Sequence, residues 1–167
     1  MKCFLPAALA ALALAGCASY RWTSQVPPEL RTVAVPTFRN ESDVTELGAV
    51  AAGQLLREFQ REGTFRVARP GDAAVEVQGI VRKASSGFAG GSRKTGMRVS
   101  EWRFTMEADV SVVDRRSGRV MIDGRRYTAE TTYLGGQDRL TDQRNASGRL
   151  AEDLARQVVD DVTSIQW

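Results

Sequence analysis

The cysteine at position 17 has the surroundings that most clearly predict chemistry in this chain. Residues 14–17 read Leu-Ala-Gly-Cys and follow a 12-residue apolar stretch from Phe4 to Ala15, with Lys2 ahead of it. This pattern is typical of a bacterial lipobox, where a signal peptidase cleaves before the cysteine and the thiol carries a diacylglyceryl group. A multi-chain lipid on Cys17 would make release from a membrane negligible. We therefore predict a signal peptide over residues 1–16 and lipid attachment at Cys17.

The apolar stretch is too short to remain as a membrane-spanning helix. At ~1.5 Å per residue it covers about 18 Å, whereas the hydrocarbon core is roughly 30 Å thick. Ala18 follows the lipid cysteine, and in enteric-type sorting an aspartate at this place favours the inner membrane. The sequence therefore predicts a lipid-anchored protein of the outer membrane that faces the periplasm.

Outside the lipobox, residue types that perform catalysis are scarce. The chain has no histidine, and its other cysteine, Cys3, lies in the predicted signal peptide. The mature chain therefore lacks the commonest general base and metal ligand, and it has no free thiol nucleophile. The 20 acidic residues are scattered without the spacing of a metal site. We expect no enzymatic activity, no bound metal and no cofactor.

Basic residues are concentrated in the middle of the chain. Between Arg82 and Arg126 there are 11 basic and five acidic residues, whereas the whole chain carries 23 and 20. Such an excess attracts anions over about one Debye length, roughly 8 Å. The anionic polymers near a lipid-anchored envelope protein are lipopolysaccharide and peptidoglycan rather than nucleic acid. The alternative is that these basic residues bind no polymer and only form a solvated strand face. From charge alone, the candidate lipopolysaccharide- or partner-binding residues are Arg93, Lys94, Arg98, Arg125 and Arg126.

Alternation of apolar and polar residues predicts the strands that carry these candidates. A change of apolar phase near Gly124 and Arg125 also predicts a β-bulge, which would re-aim the two adjacent arginines. The predicted strands cover residues 31–36, 65–68, 74–81, 99–113 and 119–133.

Apolar residues three or four apart predict two amphipathic helices. The first covers residues 43–63, begins with Asp43 and Glu46 in capping-box spacing and ends at Gly63. The second covers residues 142–165.

The segment 85–96 joins two predicted strands and contains four glycines. Its lysine does not have the spacing of a phosphate-binding P-loop, and a strand follows it where such a loop needs a helix. We therefore expect a flexible hairpin loop with a basic tip, in which Phe88 is available as an apolar anchor.

The order β-α-β-β-β-β-α predicts a two-layer α+β domain. Its sheet should be mixed and four- to five-stranded, because a strand-helix-strand unit gives a parallel pair and short reversals give antiparallel ones. Packing both helices on one face of the sheet buries every apolar surface. The predicted organisation is a signal peptide over 1–16, a lipidated tether over 17–30 and a single domain over 31–167.

Several large apolar and aromatic residues have two interpretations. Alternation makes Trp102, Phe104 and Met106 core residues rather than the lining of a channel for an acyl chain. Tyr20, Trp22 and Trp167 lie outside the core pattern and suit contact with a bilayer or a barrel.

Four blocks of sequence and the closing helix carry a resemblance to a known family. The blocks are Gly-Cys-Ala-Ser-Tyr at 16–20, Val-Pro-Pro-Glu-Leu-Arg-Thr-Val-Ala-Val-Pro-Thr-Phe-Arg-Asn-Glu-Ser at 26–42, Ala-Ala-Val-Glu-Val-Gln-Gly-Ile-Val at 73–81 and Val-Val-Asp-Arg-Arg-Ser-Gly-Arg-Val at 112–120. With this arrangement most of the mature chain resembles the lipopolysaccharide-assembly lipoproteins of the LptE type. The first strand is also similar to curli-secretion channel proteins and to activators of penicillin-binding proteins.

The resemblance implies a protein without reaction chemistry that sits as a plug inside a large outer-membrane β-barrel, LptD. It implies help with folding the barrel and with passing lipopolysaccharide to the outer leaflet. The implied partners are an LptD-like barrel, lipopolysaccharide and, through the N-terminal lipid, the membrane. The alternative is a periplasmic lipoprotein adaptor that activates a cell-wall synthase or joins a secretion channel.

Overall fold

The predicted order of elements is present, with one additional short strand. The computed structural model describes residues 26–94, 97–135 and 139–167, and it describes only the backbone of residues 92–94, 97–99 and 139. The α+β class is confirmed, and the additional strand is the two-residue β2. Within these ranges the elements are β1 (Thr32–Ala34), β2 (Arg39–Asn40), α1 (Leu47–Glu62), β3 (Arg66–Val67), β4 (Val75–Lys94), β5 (Met97–Asp114), β6 (Val120–Gly135) and α2 (Arg139–Ser164).

The strands form a mixed sheet in the order β3-β1-β4-β5-β6, with β2 paired to β4. β1 runs parallel to β3 and to β4, which confirms the parallel pair expected from the first strand-helix-strand unit. β4, β5 and β6 form an antiparallel meander. β1 and β2 lie one after the other along the same edge of β4.

Both helices and one face of the sheet enclose a continuous hydrophobic core. On β5 the alternate residues from Phe104 to Val112 are fully buried, and Trp102 at the end of the same row is partly buried. The core also includes Val26, ahead of β1. The helices contribute Leu47, Ala51, Leu55 and Phe59 from α1 and Ala146, Leu150, Leu154, Val158 and Val162 from α2. The opposite face, called the open face below, presents Arg103, Thr105, Glu107, Asp109 and Ser111 of β5, none of them fully buried.

The ends of α1 differ in how well the sequence predicts them. The predicted end is confirmed, because Gly63 adopts a φ of +86° directly after the helix. The predicted capping box of Asp43 and Glu46 is wrong, since α1 begins at Leu47 and the Glu46 side chain makes no capping hydrogen bond. Instead, the Asn40 side chain bonds to backbone groups of the loop that follows it, and such local bonds compete with helix formation.

The loop expected over residues 85–96 is wrong, because strand pairing continues through most of that segment. β4 and β5 pair from Val75 opposite Asp114 to Lys94 opposite Met97, with register shifts after Val81 and Phe88. Glycine weakens a strand, but it retains both backbone hydrogen-bonding groups, so the ladder passes through the three glycines within residues 85–94. With 20 residues, β4 reaches about 66 Å at ~3.3 Å per residue. Below, residues 84–94 of β4 and 97–104 of β5 are called the arm.

The β-bulge predicted near Gly124 is confirmed. Val110 pairs with Arg125 whereas Val112 pairs with Ile122, so β6 contains one extra residue between these two pairs. Gly124 lies inside the bulge with a φ of +54°, a conformation that glycine adopts without steric cost. The bulge therefore sets which face of the sheet each of the two following arginines occupies.

Candidate functional site

The five basic candidates divide into two groups that lie far apart. Arg93 is paired with Arg98 at the end of the arm, and Lys94 is paired with Met97. The side chains of these three basic residues, and Cys17 as a whole, lie outside what the structure describes.

The other two candidates, Arg125 and Arg126, lie in β6. Arg126 pairs with Asp109 of β5, and eleven steps along β5 separate Asp109 from Arg98. At ~3.3 Å per step this is about 36 Å, so the candidates do not form one binding site.

Arg125 is engaged in the contact between β6 and α2. Its Nη1 lies 2.9 Å from Asp161 Oδ2 on α2, and its guanidinium lies 5.6 Å from the centre of the Tyr127 ring. The buried Tyr127 hydroxyl donates to the same Asp161 oxygen at 2.7 Å. Burial and the neighbouring carboxylate raise the pKa of Tyr127 well above its ordinary value, so the phenol stays a hydrogen-bond donor. This arrangement makes Arg125 a structural residue.

Arg126 lies on the open face, in a row of alternating charges that crosses the sheet from β2 to β6. Arg126 Nε and Arg82 Nε donate to the two oxygens of Asp109 at 2.9 and 2.8 Å. Arg82 Nη1 also donates to Glu41 at 2.7 Å, and Arg39 forms an ion pair with Glu41. Arg39, Glu41, Arg82, Asp109 and Arg126 are called the charge row below.

The charge row presents its positive groups to solvent and keeps its negative groups beneath them. The Asp109 side chain is 13% exposed, whereas those of Arg82 and Arg126 are 39% and 60% exposed. Hydrogen bonds from Arg126 and Arg82 lower the pKa of Asp109 to about 2, and hydrogen bonds from Arg82 and Arg39 lower the pKa of Glu41. Both carboxylates are therefore charged at neutral pH, and the surface offers three guanidinium groups that can bind anions or carboxylates.

A groove of about 410 Å³ lies beside the charge row on the open face. The bulge shapes one wall, because the Gly124 N–H donates to Ser111 Oγ at 2.9 Å. Such a groove can hold a polar segment of a partner or an anionic group. It is lined by Pro36, Arg39, Gln78, Arg82, Asp109 and Ser111, among others.

A buried carboxylate lies at the other end of the same face. Glu76 is 6% exposed, accepts a hydrogen bond from Gln78 at 2.6 Å and pairs with Arg115. Burial alone would raise the pKa of Glu76, but the two donors outweigh burial and the pKa is lowered. Glu76 is therefore a satisfied anion and not a general acid.

The arm carries an exposed aromatic pair. The Phe88 side chain is 66% exposed, and its ring packs edge-on against Trp102 with 6.1 Å between the centroids. Phe104 and Met106 are fully buried, which confirms them as core residues. The structure thus leaves Phe88 available for contact, as expected.

Trp167 is partly buried and packs against the domain, which gives it a role in the fold besides the contact with a bilayer or a barrel for which it is suited. Its ring lies 5.6 Å from that of Phe65, its Nε1 donates to Val162 O at 3.2 Å, and it packs against the core. Tyr20 and Trp22, predicted to have the same role, lie outside the described residues.

Sequence reasoning missed four members of the charge row. Arg39 and Glu41 lie two residues apart, but Arg82 and Asp109 come from other segments, and only the strand register brings these four residues together. The polar phase of β5 was the available signal for Asp109, since it places that residue opposite the core face. Arg82 lies in the register shift between Val81 and Lys83, where it has no partner on β5.

Among the described residues, no group of three or more acidic, histidine or cysteine side chains could hold a metal ion. None of the described helices is long and apolar enough to cross a bilayer.

Comparison with solved structures shows the same fold in a chlamydial protein and finds weaker likenesses to other bacterial proteins. Protein CT253 of Chlamydia trachomatis is 12% identical with a TM-score of 0.53, and the match covers 81% of this chain and 96% of that one. A minor lipoprotein of Acinetobacter baumannii is 13% identical, with a TM-score of 0.47 and coverage of 81% and 94%. PelC of Paraburkholderia phytofirmans, solved as a dodecamer, is 18% identical, with a TM-score of 0.43 and coverage of 80% and 89%. At these identities the first likeness establishes fold alone, and the other two carry no argument.

Sequence comparison identifies the family. No curated protein sequence matches the chain. The family profile described as LptE, lipopolysaccharide-assembly, matches residues 30–162, which include β1 to β6, α1 and most of α2. Because this match spans well over half of the 167 residues, the chain belongs to the LptE family of lipopolysaccharide-assembly proteins.

Proposed function

We propose that this protein is an outer-membrane lipoprotein that plugs and helps assemble a β-barrel lipopolysaccharide translocon. The observation that carries the proposal is the LptE family match over residues 30–162. The open face supports it, because Arg103, Thr105, Glu107, Asp109 and Ser111 form a partly exposed polar surface. A polar sheet surface suits the hydrated interior of a large barrel, whose inward-facing residues are polar.

The anchor in this proposal is a lipid on Cys17, exposed after removal of residues 1–16. Nine residue steps separate Cys17 from the buried Val26, which allow at most about 32 Å of extended chain. The tether therefore keeps the β1 end of the sheet close to the inner surface of the outer membrane. The end of the arm lies up to about 66 Å along β4 from Val75, so it can reach far from the β1 end.

The residues proposed to contact lipopolysaccharide phosphates are Arg93, Lys94 and Arg98 at the end of the arm. No acidic residue occurs between Glu76 and Glu101, so their charges have no acidic neighbour along the sequence. Arginine and lysine are the usual phosphate ligands, arginine through bidentate hydrogen bonds. Arg126 is a second candidate, through its exposed guanidinium in the charge row. The engagement of Arg125 with Asp161 makes Arg125 the weakest of the five.

Depletion of the protein in its own bacterium, followed by complementation, tests the proposal. Depletion should lower both surface lipopolysaccharide and the amount of folded barrel. Wild-type protein should restore both, Cys17→Ser should restore neither, and the triple variant Arg93→Ser, Lys94→Ser, Arg98→Ser should restore the barrel but not surface lipopolysaccharide.

The matched control removes the same number of charges from positions outside the arm. It combines Arg57→Ser, Arg61→Ser and Arg66→Ser, all exposed positions of α1 and β3, and it should complement fully. If depletion changes glycan-strand synthesis and leaves lipopolysaccharide and the barrel unaffected, the plug proposal is wrong and the adaptor alternative replaces it.

A further inference from the structure

The arm has one strand edge that pairs with nothing in the described residues. β5 covers one edge of β4 along its whole length, whereas β1 and β2 cover the other edge only as far as Val81. The last bond on that side runs from the Glu41 N–H to Val81 O at 2.9 Å. Beyond it, alternate residues of β4 point their N–H and C=O away from the sheet, with an interruption at the register shift between Phe88 and Gly90. This leaves about 30 Å of free edge over residues 84–92, at ~3.3 Å per residue.

This edge lacks the side-chain features by which proteins normally protect a strand edge. Residues 84–92 read Ala-Ser-Ser-Gly-Phe-Ala-Gly-Gly-Ser, with no charge and no proline. Exposed edge strands usually carry lysine or proline, or are covered, because unpaired backbone groups otherwise recruit another strand. The small side chains leave room for a neighbouring backbone, and the exposed Phe88 offers one apolar anchor beside it. An unprotected edge of this kind is suited to strand addition.

The charges at the two ends of the edge indicate which strand fits. Lys83 is exposed at one end, and Arg93 and Lys94 follow in sequence at the other. A second copy of this chain would place these basic residues opposite one another in either direction of pairing, which is unfavourable. Residues 18–25 of the predicted tether over 17–30 also do not fit, because their one charged residue is Arg21.

We propose that the free edge of β4 binds an extended segment of a partner protein by β-strand addition. The segment is about nine residues long, uncharged at its centre, with an apolar residue beside Phe88 and acidic residues at both ends. Backbone hydrogen bonds to residues 84–92 supply affinity, and carboxylates near Lys83 and near residues 93–94 fix the position of the strand. The free edge and its flanking charges are features of this chain, whichever β-barrel the protein assembles with.

Site-specific photo-crosslinking in the native envelope tests this proposal. A photoreactive amino acid replaces Ala89 in the full lipoprotein, and a control places it at Gln60, which is exposed on α1. Mass spectrometry then maps the crosslinked segment. The expected product at position 89 is a different protein, crosslinked within an uncharged extended segment that is flanked by acidic residues, and the same product should be absent at position 60.

Two variants check that backbone pairing and charge are responsible. Ala89 has no partner on β5, because Phe88 pairs with Trp102 and Gly90 with Glu101. Proline is tolerated at such register shifts, so we expect Ala89→Pro to keep the β5 pairs on either side. With the photoreactive group moved to Ser85, Ala89→Pro and Lys83→Glu should each lower the crosslink yield about tenfold, whereas Ala89→Ser should not. Unchanged circular dichroism and thermal unfolding confirm that each variant is folded.

Any other crosslinking result overturns the proposal. A crosslink to a second copy assigns the edge to self-association, and one to residues 18–25 assigns it to the tether. A crosslink to lipid alone or to a segment without flanking acidic residues contradicts strand addition by a partner with acidic ends. The absence of any crosslink contradicts it as well.

Discussion

Asp109 holds the charge row together, and its replacement by asparagine gives a sharp test of the electrostatics of the open face. Asp109→Asn keeps the shape of the side chain but removes the negative charge that accepts hydrogen bonds from Arg82 and Arg126. The fall in the pKa of Asp109 from 3.8 to about 2 corresponds to about 2 kcal/mol of folding free energy at neutral pH. Both guanidinium groups are partly exposed, and solvent screening reduces this value. We expect a loss of roughly 1–2 kcal/mol at pH 7.

The pH dependence of this loss follows from the direction of the shift. A carboxylate with a lowered pKa stabilises the fold above its unfolded pKa of about 3.8, and the stabilisation disappears as the pH falls through about 2. The difference between wild type and Asp109→Asn should therefore be constant from pH 7 to pH 5. It should fall to about half near pH 3 and to a small fraction at pH 2.

Urea denaturation at fixed pH values, followed by circular dichroism on the non-lipidated mature domain, measures this difference. Asp123→Asn is the matched control, since Asp123 is exposed on β6 and forms no ion pair among the described residues. It should change stability by less than about 0.5 kcal/mol. A loss for Asp109→Asn that stays the same from pH 7 to pH 2 would refute the electrostatic explanation and assign the loss to packing.

Three further substitutions test the packing that positions the site, each by urea denaturation. Tyr127→Phe should cost about 1 kcal/mol, because it removes the half-buried hydrogen bond to Asp161, and no change would mean that this bond does not hold α2 on β6. Gly79→Ala should cost roughly 1–3 kcal/mol, because its Cβ would lie 2.2–2.4 Å from ring atoms of Phe38. If Gly79→Ala costs less in a Phe38→Leu background, the clash is confirmed. If the free-energy changes of the two substitutions simply add, the clash is contradicted. Gly124→Ala should cost about 1 kcal/mol through its φ of +54° alone, since nothing lies within 4 Å of the added Cβ, and a neutral result would mean that the bulge tolerates alanine.

Much of the fold is predictable from sequence because it depends on local patterns. The alternation from Phe104 to Val112 predicts the buried face of β5, and the stripe from Ala146 to Val162 predicts the buried face of α2. The phase change near Gly124 predicts the bulge, because a single extra residue moves every later side chain to the other face.

The arm and the charge row could not be predicted in the same way because they depend on pairing between distant segments. The glycines of residues 85–96 indicate a loop when considered alone, but β5 supplies a partner for each step of the ladder up to Lys94. Arg82 becomes a neighbour of Glu41 and Asp109, and Arg126 a neighbour of Asp109, only through the registers of β2, β4, β5 and β6. Register over such distances is a tertiary property that overrides local propensity.

Mild-detergent affinity purification of the lipidated protein from its own outer membrane, with mass spectrometry of every stoichiometric partner, tests whether the protein plugs a lipopolysaccharide translocon. We expect a single outer-membrane β-barrel of about 80–100 kDa, the size that the family resemblance implies, together with lipopolysaccharide that is lost from the triple variant of residues 93, 94 and 98. Recovery of a cell-wall synthase or a secretion channel in place of the barrel would overturn the proposed function. It would make the exposed arginines of the charge row a protein interface of an adaptor.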